Sequence, residues 1–386
     1  MRAVILAAGE GMRLRPLTTY TPKPMLPVGN KPILQHIVEA LAKEDVRDIT
    51  MVVGYKKERI MGFFGDGSDF GVHIEYAIQR KQLGTAHALL HAKPSDDFIL
   101  LPGDNIVDPQ CIHSVKSKNN SILAVHSYIP SKYGVVEIKK KRARIIRVRE
   151  VEDQALVFTG IGHFTSELFT IAKSTLRDGF YDITDAINRL DVNVVVSSCT
   201  WLDAVYPWDL LNLNWKILKN TPKKIAGKIE HATIIGKVQI GDGAVIGAGT
   251  YIKGPVVIGR NCTIGPNSVI MPGTSIGDGT QVGAMSYVEN SILMENSVID
   301  VGARIRNSIV GNAVNVGFNA MLLSGKIKKI SGTEIVERED VGAVIGDNTQ
   351  IGSGVSIAPG TMVGADAKIE DCAKIHKDVE NCARVI

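Results

Sequence analysis

The residue types most able to do chemistry lie close together in the segment between residues 9 and 27. This segment combines two glycines with three basic side chains: Gly9, Gly11, Arg13, Arg15 and Lys23. Glycines allow backbone amides to converge on phosphate oxygens without interference from a Cβ atom, and the basic side chains supply positive charge. Because long irregular loops in compact domains are usually functional, this composition predicts a phosphate-binding site.

The sequence of this segment excludes the two most familiar phosphate-binding motifs. The run GEGMRL lacks the Gly-Lys-Ser/Thr ending of a Walker loop. It also lacks a third glycine at the spacing of a dinucleotide-binding fingerprint. A different phosphate-binding motif is therefore expected.

Apolar runs and helical periodicity predict the elements that position this loop. Strands are predicted at residues 3–8, 49–53, 73–77, 98–101 and 122–126, and helices at 31–43, 57–64, 85–92 and 210–219. This alternation indicates a Rossmann-like, three-layer α/β domain with a mostly parallel sheet over residues 1–220. In such sheets ligands bind beyond the carboxyl ends of the strands, where both the glycine loop and Asp104 are expected.

After a linker at residues 220–224 the sequence period changes to six. Aliphatic side chains recur at every sixth position from Ile234 to Val288 and again from Ile345 to Ile375. Hexapeptide repeats of this kind form a left-handed parallel β-helix, with one short strand per repeat and three per coil. We therefore predict a β-helix domain over residues 221–386. Its pattern falters between about residues 293 and 344, and the polar stretch 326–339 is predicted to loop out of the coil.

Composition limits the partners and the compartment. The formal net charge of +4 is too small to favour nucleic acid, and the basic run at residues 139–144 is typical of a solvated hairpin edge. The five cysteines are scattered, odd in number and without metal-ligand spacing, which fits structural thiols in a reducing compartment. Without a leader-like N-terminus or a long apolar stretch, we expect a cytoplasmic protein that does not enter a membrane. The flat faces of a β-helix favour a symmetric homo-oligomer, with trimers or their multiples expected first.

The glycine loop resembles the signature of the sugar-1-phosphate nucleotidylyltransferases, L-A-x-G-x-G-x-R-L-x-P-L-T followed by P-K-P-x-x-P-V. In that family the arginine and the lysine bind the triphosphate, so the resemblance implies catalytic roles for Arg13 and Lys23. Met12 stands where the family usually has Thr or Ser. The resemblance also implies nucleotide contacts from residues of the loop and the strand before it: Leu6, Ala8, Gly9, Gly11 and Met12.

Further segments resemble the base and sugar sites of the same family. The run QRKQLGT from residue 79 looks like the base-recognition loop, which implies nucleotide contacts from Gln79, Gln82, Gly84 and Thr85. Segments that resemble the sugar-phosphate pocket imply contacts from Gly134, Glu150, Thr159, Gly160 and Asp182. The sequence differs most from the family pattern in this pocket: Val151 replaces the usual lysine, and Asp182 stands where Glu is usual. Arg147 or Arg149 is a candidate to supply the missing charge.

Two aspartates at strand ends complete the resemblance. Asp104 follows Leu101-Pro-Gly, and Asp203 follows Trp201-Leu. In the family the matching aspartates hold Mg²⁺ on the nucleotide phosphates, and hard carboxylate oxygens are ligands that Mg²⁺ prefers. The resemblance therefore implies a magnesium site at these two residues.

The expected activity is the formation of an NDP-sugar and pyrophosphate from a pyrimidine NTP and a sugar 1-phosphate. UTP and dTTP both remain open, as do glucose and N-acetylglucosamine 1-phosphate. Some relatives with this layout also acetylate glucosamine 1-phosphate in the β-helix, where they carry an essential histidine. Beyond the linker this chain has only His231 and His376, at opposite ends of the repeats. Acetyl transfer is therefore an alternative, and a catalytically silent regulatory or assembly subunit is another.

Overall fold

A computed structural model describes residues 1–129, 132–139, 142–147, 154–331 and 334–386 of the chain. The chain divides into two compact units. The first unit comprises Met1–Glu10, Pro22–Met25 and Pro32–Asp203. The second comprises Gly11–Thr21, Leu26–Lys31 and Ala204–Ile386.

The described residues before 204 have strands at all five predicted apolar runs and at further segments that were not predicted. They are β1 (Arg2–Ala7), β2 (Pro27–Val28), β3 (Lys31–Pro32), β4 (Asp48–Val53), β5 (His73–Ile78), β6 (Phe98–Pro102), β7 (Asn105–Val107), β8 (Ser121–Ser127), β9 (Gly134–Lys139), β10 (Arg142–Arg147), β11 (Ala155–Phe164), β12 (Asn193–Val196) and β13 (Trp201–Asp203). The helices are α1 (Ile33–Lys43), α2 (Lys57–Phe64), α3 (Thr85–Ala92), α4 (Pro109–Lys116), α5 (Glu167–Arg177), α6 (Ile183–Ile187) and α7 (Asp209–Asn220). Short 3-10 turns occupy Met12–Leu14, Lys23–Met25 and Ser68–Phe70.

The first unit contains one large sheet with the strand order β10-β9-β11-β6-β1-β4-β5, and β8 joins β11 to β12. Strands β6, β1, β4 and β5 are parallel to one another. Strand β11 runs antiparallel to β6, so the sheet is mixed beyond that point. The predicted three-layer α/β fold is confirmed, with its parallel part at the strands that carry the glycine loop and Asp104.

Burial explains why these segments form the elements they do. Apart from Leu6 and Pro102 at the strand ends, the apolar side chains of β1, β4 and β6 are almost completely excluded from solvent, as expected for strands covered on both faces. Helix α1 starts directly after Pro32 and buries one stripe of its surface, which includes Ile33, Ile37 and Leu41. The predicted helices at 57–64 and 85–92 have the same bounds in the structure.

The second unit is a β-helix made of three parallel sheets. One sheet contains Lys224–Ile225, Val238–Ile240, Val256–Ile258, Thr274–Ile276, Ile292–Leu293, Ile309–Val310, Val344–Ile345 and Met362–Val363. The next contains Lys228–Ile229, Val245–Ile246, Thr263–Ile264, Gln281–Val282, Val298–Ile299, Asn315–Val316, Gln350–Ile351, Lys368–Ile369 and Arg384–Val385. The third contains Thr233–Ile235, Tyr251–Lys253, Val269–Ile270, Tyr287–Glu289, Arg304–Arg306, Met321–Leu322, Ser356–Ile357 and Lys374–Ile375. The predicted hexapeptide β-helix is confirmed, and its inward aliphatic column forms one continuous core.

The coil continues through the stretch where the sequence pattern falters. Two of its repeats are one residue short, from Val288 to Leu293 and from Ile305 to Val310, and all four of these side chains are buried. Asparagines with a positive φ turn both shortened corners, at Asn290 (φ 42°) and Asn307 (φ 47°). The apparent break in period is therefore a change of spacing within an intact coil.

The polar stretch at residues 326–339 leaves the coil, as predicted, and forms an antiparallel hairpin of Gly325–Ser331 with Glu334–Val341. Two of its buried side chains, Ile327 and Val341, pack with Tyr206 and Trp208. The hairpin is therefore a fixed part of the second unit.

Several exposed corners of the coil pair a glycine with an asparagine one coil later. Gly243 and Gly249 both have a φ of 71°, a region that L side chains rarely adopt. A Cβ atom at either position would lie 2.2 Å from the Oδ1 atom of Asn261 or Asn267. Each asparagine side chain thus occupies the space that its glycine leaves empty.

Helix α7 packs within the second unit, so that the division at residues 203 and 204 differs from the predicted boundary at residue 220. The buried Asn214 side chain donates to the carbonyl of Gly273 on the coil, at 2.9 Å. Its oxygen accepts the backbone N–H of Gly29, at 2.8 Å. In the part of the chain that is described, no helix is both long and apolar enough to cross a bilayer.

Candidate active site

A buried lysine joins the two predicted metal-binding aspartates in the first unit. The Nζ atom of Lys23 lies 2.7 Å from Oδ2 of Asp104 and 2.8 Å from Oδ1 of Asp203. The lysine side chain is 11% exposed, and the aspartate side chains are 40% and 14% exposed. Three residues that lie far apart in the sequence therefore form one charged cluster beyond the carboxyl end of β6.

A two-stranded antiparallel ribbon brings the two aspartates together. Asp104 lies between β6 and β7, and Asp203 ends β13. Strands β7 and β13 pair so that Asp203 lies opposite Asn105, the residue after Asp104. Lys23 begins the 3-10 turn that carries it. The ribbon thus fixes the separation of the two carboxylates.

A disulfide between Cys111 and Cys199 connects the same two segments of chain, with 5.4 Å between their Cα atoms. The expectation that all five cysteines are thiols is therefore wrong for this pair, because strand pairing brings together residues that are 88 positions apart. Asp108 lies close enough to the two sulfur atoms to suggest a metal site. However, the sulfurs are bonded to each other, and the Asp108 carboxylate accepts the backbone N–H groups of Cys111 and Thr200. The cluster is therefore structural.

The charge balance of the lysine cluster favours cations. Burial alone disfavours the ammonium of Lys23, but the attraction of Asp104 and then of Asp203 outweighs it and raises the pKa of Lys23. The lysine is therefore charged throughout the neutral range. Two carboxylates against one ammonium leave a net charge of −1 on the cluster, when both carboxylates are ionised.

The residues of the cluster fit a magnesium ion. Both carboxylates lie within hydrogen-bond distance of one ammonium, so they can converge on one small cation. Mg²⁺ prefers hard oxygen ligands and usually takes one or two carboxylates together with substrate phosphates. Asp104 and Asp203 match that donor set in type and number.

Gly54 is a residue that the sequence reasoning missed. It follows β4, and a Cβ atom there would lie 2.7 Å from Nε2 of Gln82, 2.8 Å from the carbonyl of Gln79 and 2.9 Å from the carbonyl of Ala8. Three predicted nucleotide-binding residues therefore converge on a position where only glycine fits. The Gly-Tyr pair directly after an apolar strand was the available signal. A Cβ at Gly9, by contrast, would meet nothing within 4 Å.

The predicted base-recognition residue Gln79 is buried and uses its amide nitrogen within the protein. Its Nε2 atom donates to the carbonyl of Gly84 at 3.2 Å and lies 2.9 Å from Nδ1 of His87. Gln82 is exposed and donates to the carbonyl of Gln79 at 3.4 Å. Gln79 therefore holds the turn that leads into α3, and a base contact from it would have to use its amide oxygen.

The structure brings a predicted base-binding turn against a predicted sugar-binding residue. Gly84 has a φ of 142°, and a Cβ there would lie 2.4 Å from the carbonyl oxygen of Tyr181. Thr85 donates to Oδ1 of Asp182 at 3.3 Å and accepts the backbone N–H of Ile183 at 2.8 Å. The close approach of these two segments therefore depends on the absence of a side chain at residue 84.

Asp182 is the N-cap of α6, where its carboxylate accepts the backbone N–H of Thr184. Its other oxygen accepts Nη2 of Arg147 at 2.7 Å. Burial by itself would raise the pKa of Asp182, but the hydrogen bond from Thr184 and the pairing with Arg147 lower it overall. Arg147, one of the two candidates for the missing cation, is therefore placed beside Asp182. The other candidate, Arg149, and the predicted site residue Glu150 lie outside the described residues.

The remaining predicted sugar-site residues shape the sheet. Thr159 is 2% exposed, and its hydroxyl donates to the carbonyl of Leu123 at 2.9 Å. Gly160 has a φ of 82°, and a Cβ there would lie 2.9 Å from the ring of Pro102. A Cβ at Gly134 would lie 2.4 Å from a methyl group of Ile145. The hydroxyl of Thr159 is thus engaged within the protein, and both glycines permit close packing.

The other loop residues are placed as follows. Leu6 is half-buried in β1 of the first unit. Gly11, Met12 and Arg13 belong to the second unit, where Gly11 has a φ of 68° and the 3-10 turn begins directly after it. Met12 is 66% exposed, and Arg13 is also exposed. The arginine is therefore presented at the surface of its unit.

Models of protein families match both parts of the chain. The nucleotidyl transferase model matches residues 2–220. In the β-helix, the model of the GMPPB C-terminal domain matches residues 252–341. Models of the bacterial transferase hexapeptide and of the hexapeptide repeat of succinyl-transferase match residues 342–377 and 232–253.

Relatives that span both domains are similar to this chain over nearly its whole length. A bifunctional protein GlmU from Methanococcus maripaludis strain C5 is 34% identical over 98% of this chain and 96% of its own. A bifunctional sugar-1-phosphate nucleotidylyltransferase/acetyltransferase from Sulfurisphaera tokodaii is 32% identical over 98% of both chains. A crystallised protein from Bacillus anthracis, assigned as a glucose-1-phosphate thymidylyltransferase and bound to sucrose, has a TM-score of 0.51 and 27% identity. It covers 58% of this chain and 98% of its own.

A Rossmann-like unit with a lysine–carboxylate cluster, joined to a hexapeptide β-helix, defines a class of two-domain nucleotidyltransferases. The chain belongs to the nucleotidyl transferase family, and within it to the sugar-1-phosphate nucleotidyltransferases. This confirms the resemblance that the glycine loop indicated.

Proposed function

We propose that this protein joins a pyrimidine nucleoside triphosphate to a sugar 1-phosphate, forming an NDP-sugar and releasing pyrophosphate. The observation that carries the proposal is the position of Lys23 between Asp104 and Asp203. A buried ammonium beside two carboxylates can bind a polyphosphate together with its metal ion. The relatives named as nucleotidylyltransferases support the same reaction class.

In the proposed mechanism an oxygen of the sugar phosphate attacks the α-phosphorus in line, and pyrophosphate leaves. The attacking phosphate is already ionised, so no protein base is needed. Catalysis then depends on alignment and on neutralisation of charge. Lys23 and Arg13 bind the triphosphate oxygens and stabilise the charge that develops on the leaving group.

Asp104 and Asp203 would hold Mg²⁺, which when bound screens the charge of the nucleotide phosphates. The turn of Gln79, Gln82, Gly84 and Thr85 would contact the base, close to the strand end of Leu6 and Ala8. Gly9, Gly11 and Met12 would offer backbone amides to the phosphates. The sugar phosphate would be bound by the segments of Gly134, Glu150, Thr159, Gly160 and Asp182.

The test is a matrix of nucleoside triphosphates against several sugar 1-phosphates with Mg²⁺, scored by pyrophosphate release. UTP or dTTP should be preferred, with glucose or N-acetylglucosamine 1-phosphate. Arg13→Ala and Lys23→Ala should each lower turnover by about 10²–10³, the usual cost of removing one preorganised charge-stabilising donor. Lys228→Met is a matched control, since Lys228 pairs with Glu230 on the exposed surface of the β-helix. Turnover near that of the native enzyme in both site variants would overturn the assignment.

A second candidate activity is acetyl transfer in the β-helix. It is favoured by the relatives that match both domains and are named as bifunctional nucleotidylyltransferase/acetyltransferases. The basic side chains of the hairpin, which are candidates to meet a coenzyme phosphate, are each paired with an acid: Lys326 with Glu339, Lys328 with Glu337 and Lys329 with Asp378. Release of free thiol from acetyl-CoA with glucosamine 1-phosphate would establish this activity. Binding of both substrates without any pyrophosphate release would instead indicate a silent subunit.

A further inference from the structure

Residues 11–21 of the glycine loop, called the phosphate loop below, belong to the second unit. One of them is hydrogen-bonded to a late coil of the β-helix. The hydroxyl of Tyr20 donates to Oδ2 of Asp366. Asp366 turns a corner of the coil with a φ of 58°, and its other oxygen accepts Nδ2 of Asn348 at 3.1 Å. The acceptor for Tyr20 is therefore itself fixed in place.

The segment Leu26–Lys31, which follows the loop and belongs to the same unit, also makes hydrogen bonds within that unit. Nδ2 of Asn30 donates to the carbonyl of Ile276 at 2.5 Å, and the backbone N–H of Gly29 donates to Asn214 at 2.8 Å. The β-helix therefore holds the loop and the segment after it.

The part of the loop that precedes Tyr20 is held by its own hydrogen bonds and by burial. The carbonyl of Gly11 accepts the backbone N–H of Leu14 at 2.9 Å and the hydroxyl of Thr18 at 3.0 Å. Leu14, Leu17 and Thr18 are at most 1% exposed. A shift at Tyr20 would therefore be transmitted to the turn that presents Arg13.

We propose that Tyr20 and Asp366 are positioning residues for the triphosphate, through which the β-helix keeps the phosphate loop in its binding conformation. The inference rests on the proposed nucleotidyl transfer, since it assigns Arg13 to the triphosphate. It goes further because it assigns coils at the far end of the sequence a role in holding the turn of Arg13.

Loss of this anchor lowers the fraction of molecules whose loop is ready to bind. The apparent affinity falls in proportion to that fraction. A hydrogen bond to a charged acceptor is strong enough for the KM for the nucleoside triphosphate to rise roughly tenfold or more. The KM for the sugar 1-phosphate should change less than twofold. A general loss of folded protein would lower the amount of active enzyme and leave both KM values unchanged.

The experiment compares Tyr20→Phe, Asp366→Ala and the double variant of the full chain with Tyr287→Phe. Tyr287 is a matched control because its hydroxyl donates to Glu289, also on the β-helix, at 2.9 Å. Asp366→Asn retains an acceptor for the tyrosine hydroxyl and should recover much of the affinity. Thermal unfolding of each variant confirms that the coil is intact.

We expect a raised nucleotide KM in Tyr20→Phe and Asp366→Ala, no further rise in the double variant, and none in Tyr287→Phe. If the native enzyme releases pyrophosphate and both single variants keep its nucleotide KM, the positioning role is wrong. Equal rises in the KM for both substrates would also contradict it. Absence of turnover in the native enzyme would refute the proposed function itself, so the two failures are distinguishable.

Discussion

Replacing Lys23 by methionine should destabilise the protein as well as inactivate it. The substitution keeps most of the volume of the side chain and removes the ammonium that lies between Asp104 and Asp203. The two carboxylates then face each other without a countercharge. Because like charges at this separation repel each other, the folded state loses stability.

The magnitude follows from the burial of the three side chains. Breaking a fully buried ion pair by removing one partner costs about 3–5 kcal/mol. The side chain of Asp104 is 40% exposed, so water screens part of the repulsion. We therefore expect the free energy of unfolding to fall by about 2–3 kcal/mol at pH 7, below the value for a fully buried pair.

Urea denaturation followed by tryptophan fluorescence measures this loss. Lys23→Met/Asp203→Asn restores the original net charge of −1 and should recover a large part of the stability. Mg²⁺ should also stabilise the single variant more than the native protein. Lys228→Met, at an exposed ion pair, serves as the control and should change stability by less than about 0.5 kcal/mol.

Two results would refute this reasoning. One is a Lys23→Met variant as stable as the native protein at pH 7, since it would mean that the carboxylates are not held together. The other is a loss of stability that the second substitution does not relieve. That outcome would assign the effect to packing of the lysine stem and remove the electrostatic explanation.

Three further outcomes are expected. Gly84→Ala places a Cβ against the carbonyl of Tyr181, so it should abolish nucleotide binding measured by calorimetry, and unaltered binding would contradict the close approach. Reduction of the disulfide between Cys111 and Cys199 opens a loop of 88 residues, and the chain-entropy model gives a loss of about 4–5 kcal/mol. A melting temperature unaffected by dithiothreitol would show that the bridge does not stabilise the protein. In thiol titration the two exposed cysteines should react at once, whereas Cys262 should react only after denaturation, because burial raises its pKa to about 11.

Local patterns predicted most of the elements. Strands such as Phe98–Pro102 and helices such as Thr85–Ala92 follow from short apolar runs and helical spacing, which depend on neighbouring residues alone. The inward aliphatic column from Ile240 to Val288 was also predictable from the sequence, because each coil repeats the same environment. The shortened corner at Asn290 was not predicted, since the loss of one residue interrupts the six-residue period but leaves the coil intact.

The candidate site was predictable in its residue types and less so in their contacts. The motif pointed to Lys23, Asp104 and Asp203, but only the β7–β13 ribbon shows how the two carboxylates meet. The disulfide escaped prediction for the same reason, as a pairing across 88 residues has no local signal. Gln79 was assigned to a base, yet its burial depends on tertiary packing that the sequence does not display.

Exposed residues usually tolerate substitution better than buried ones. The corners where a glycine faces an asparagine of the next coil are an exception. Inward positions are mostly Ile, with Val or Leu in some of the later coils, so the interior accepts more than one aliphatic side chain. Gly243 is exposed, yet a side chain there is disfavoured by its backbone angle and would displace the asparagine side chain of the following coil. Surveys of variants in this domain should therefore find some of their most damaging substitutions on its outer ridges.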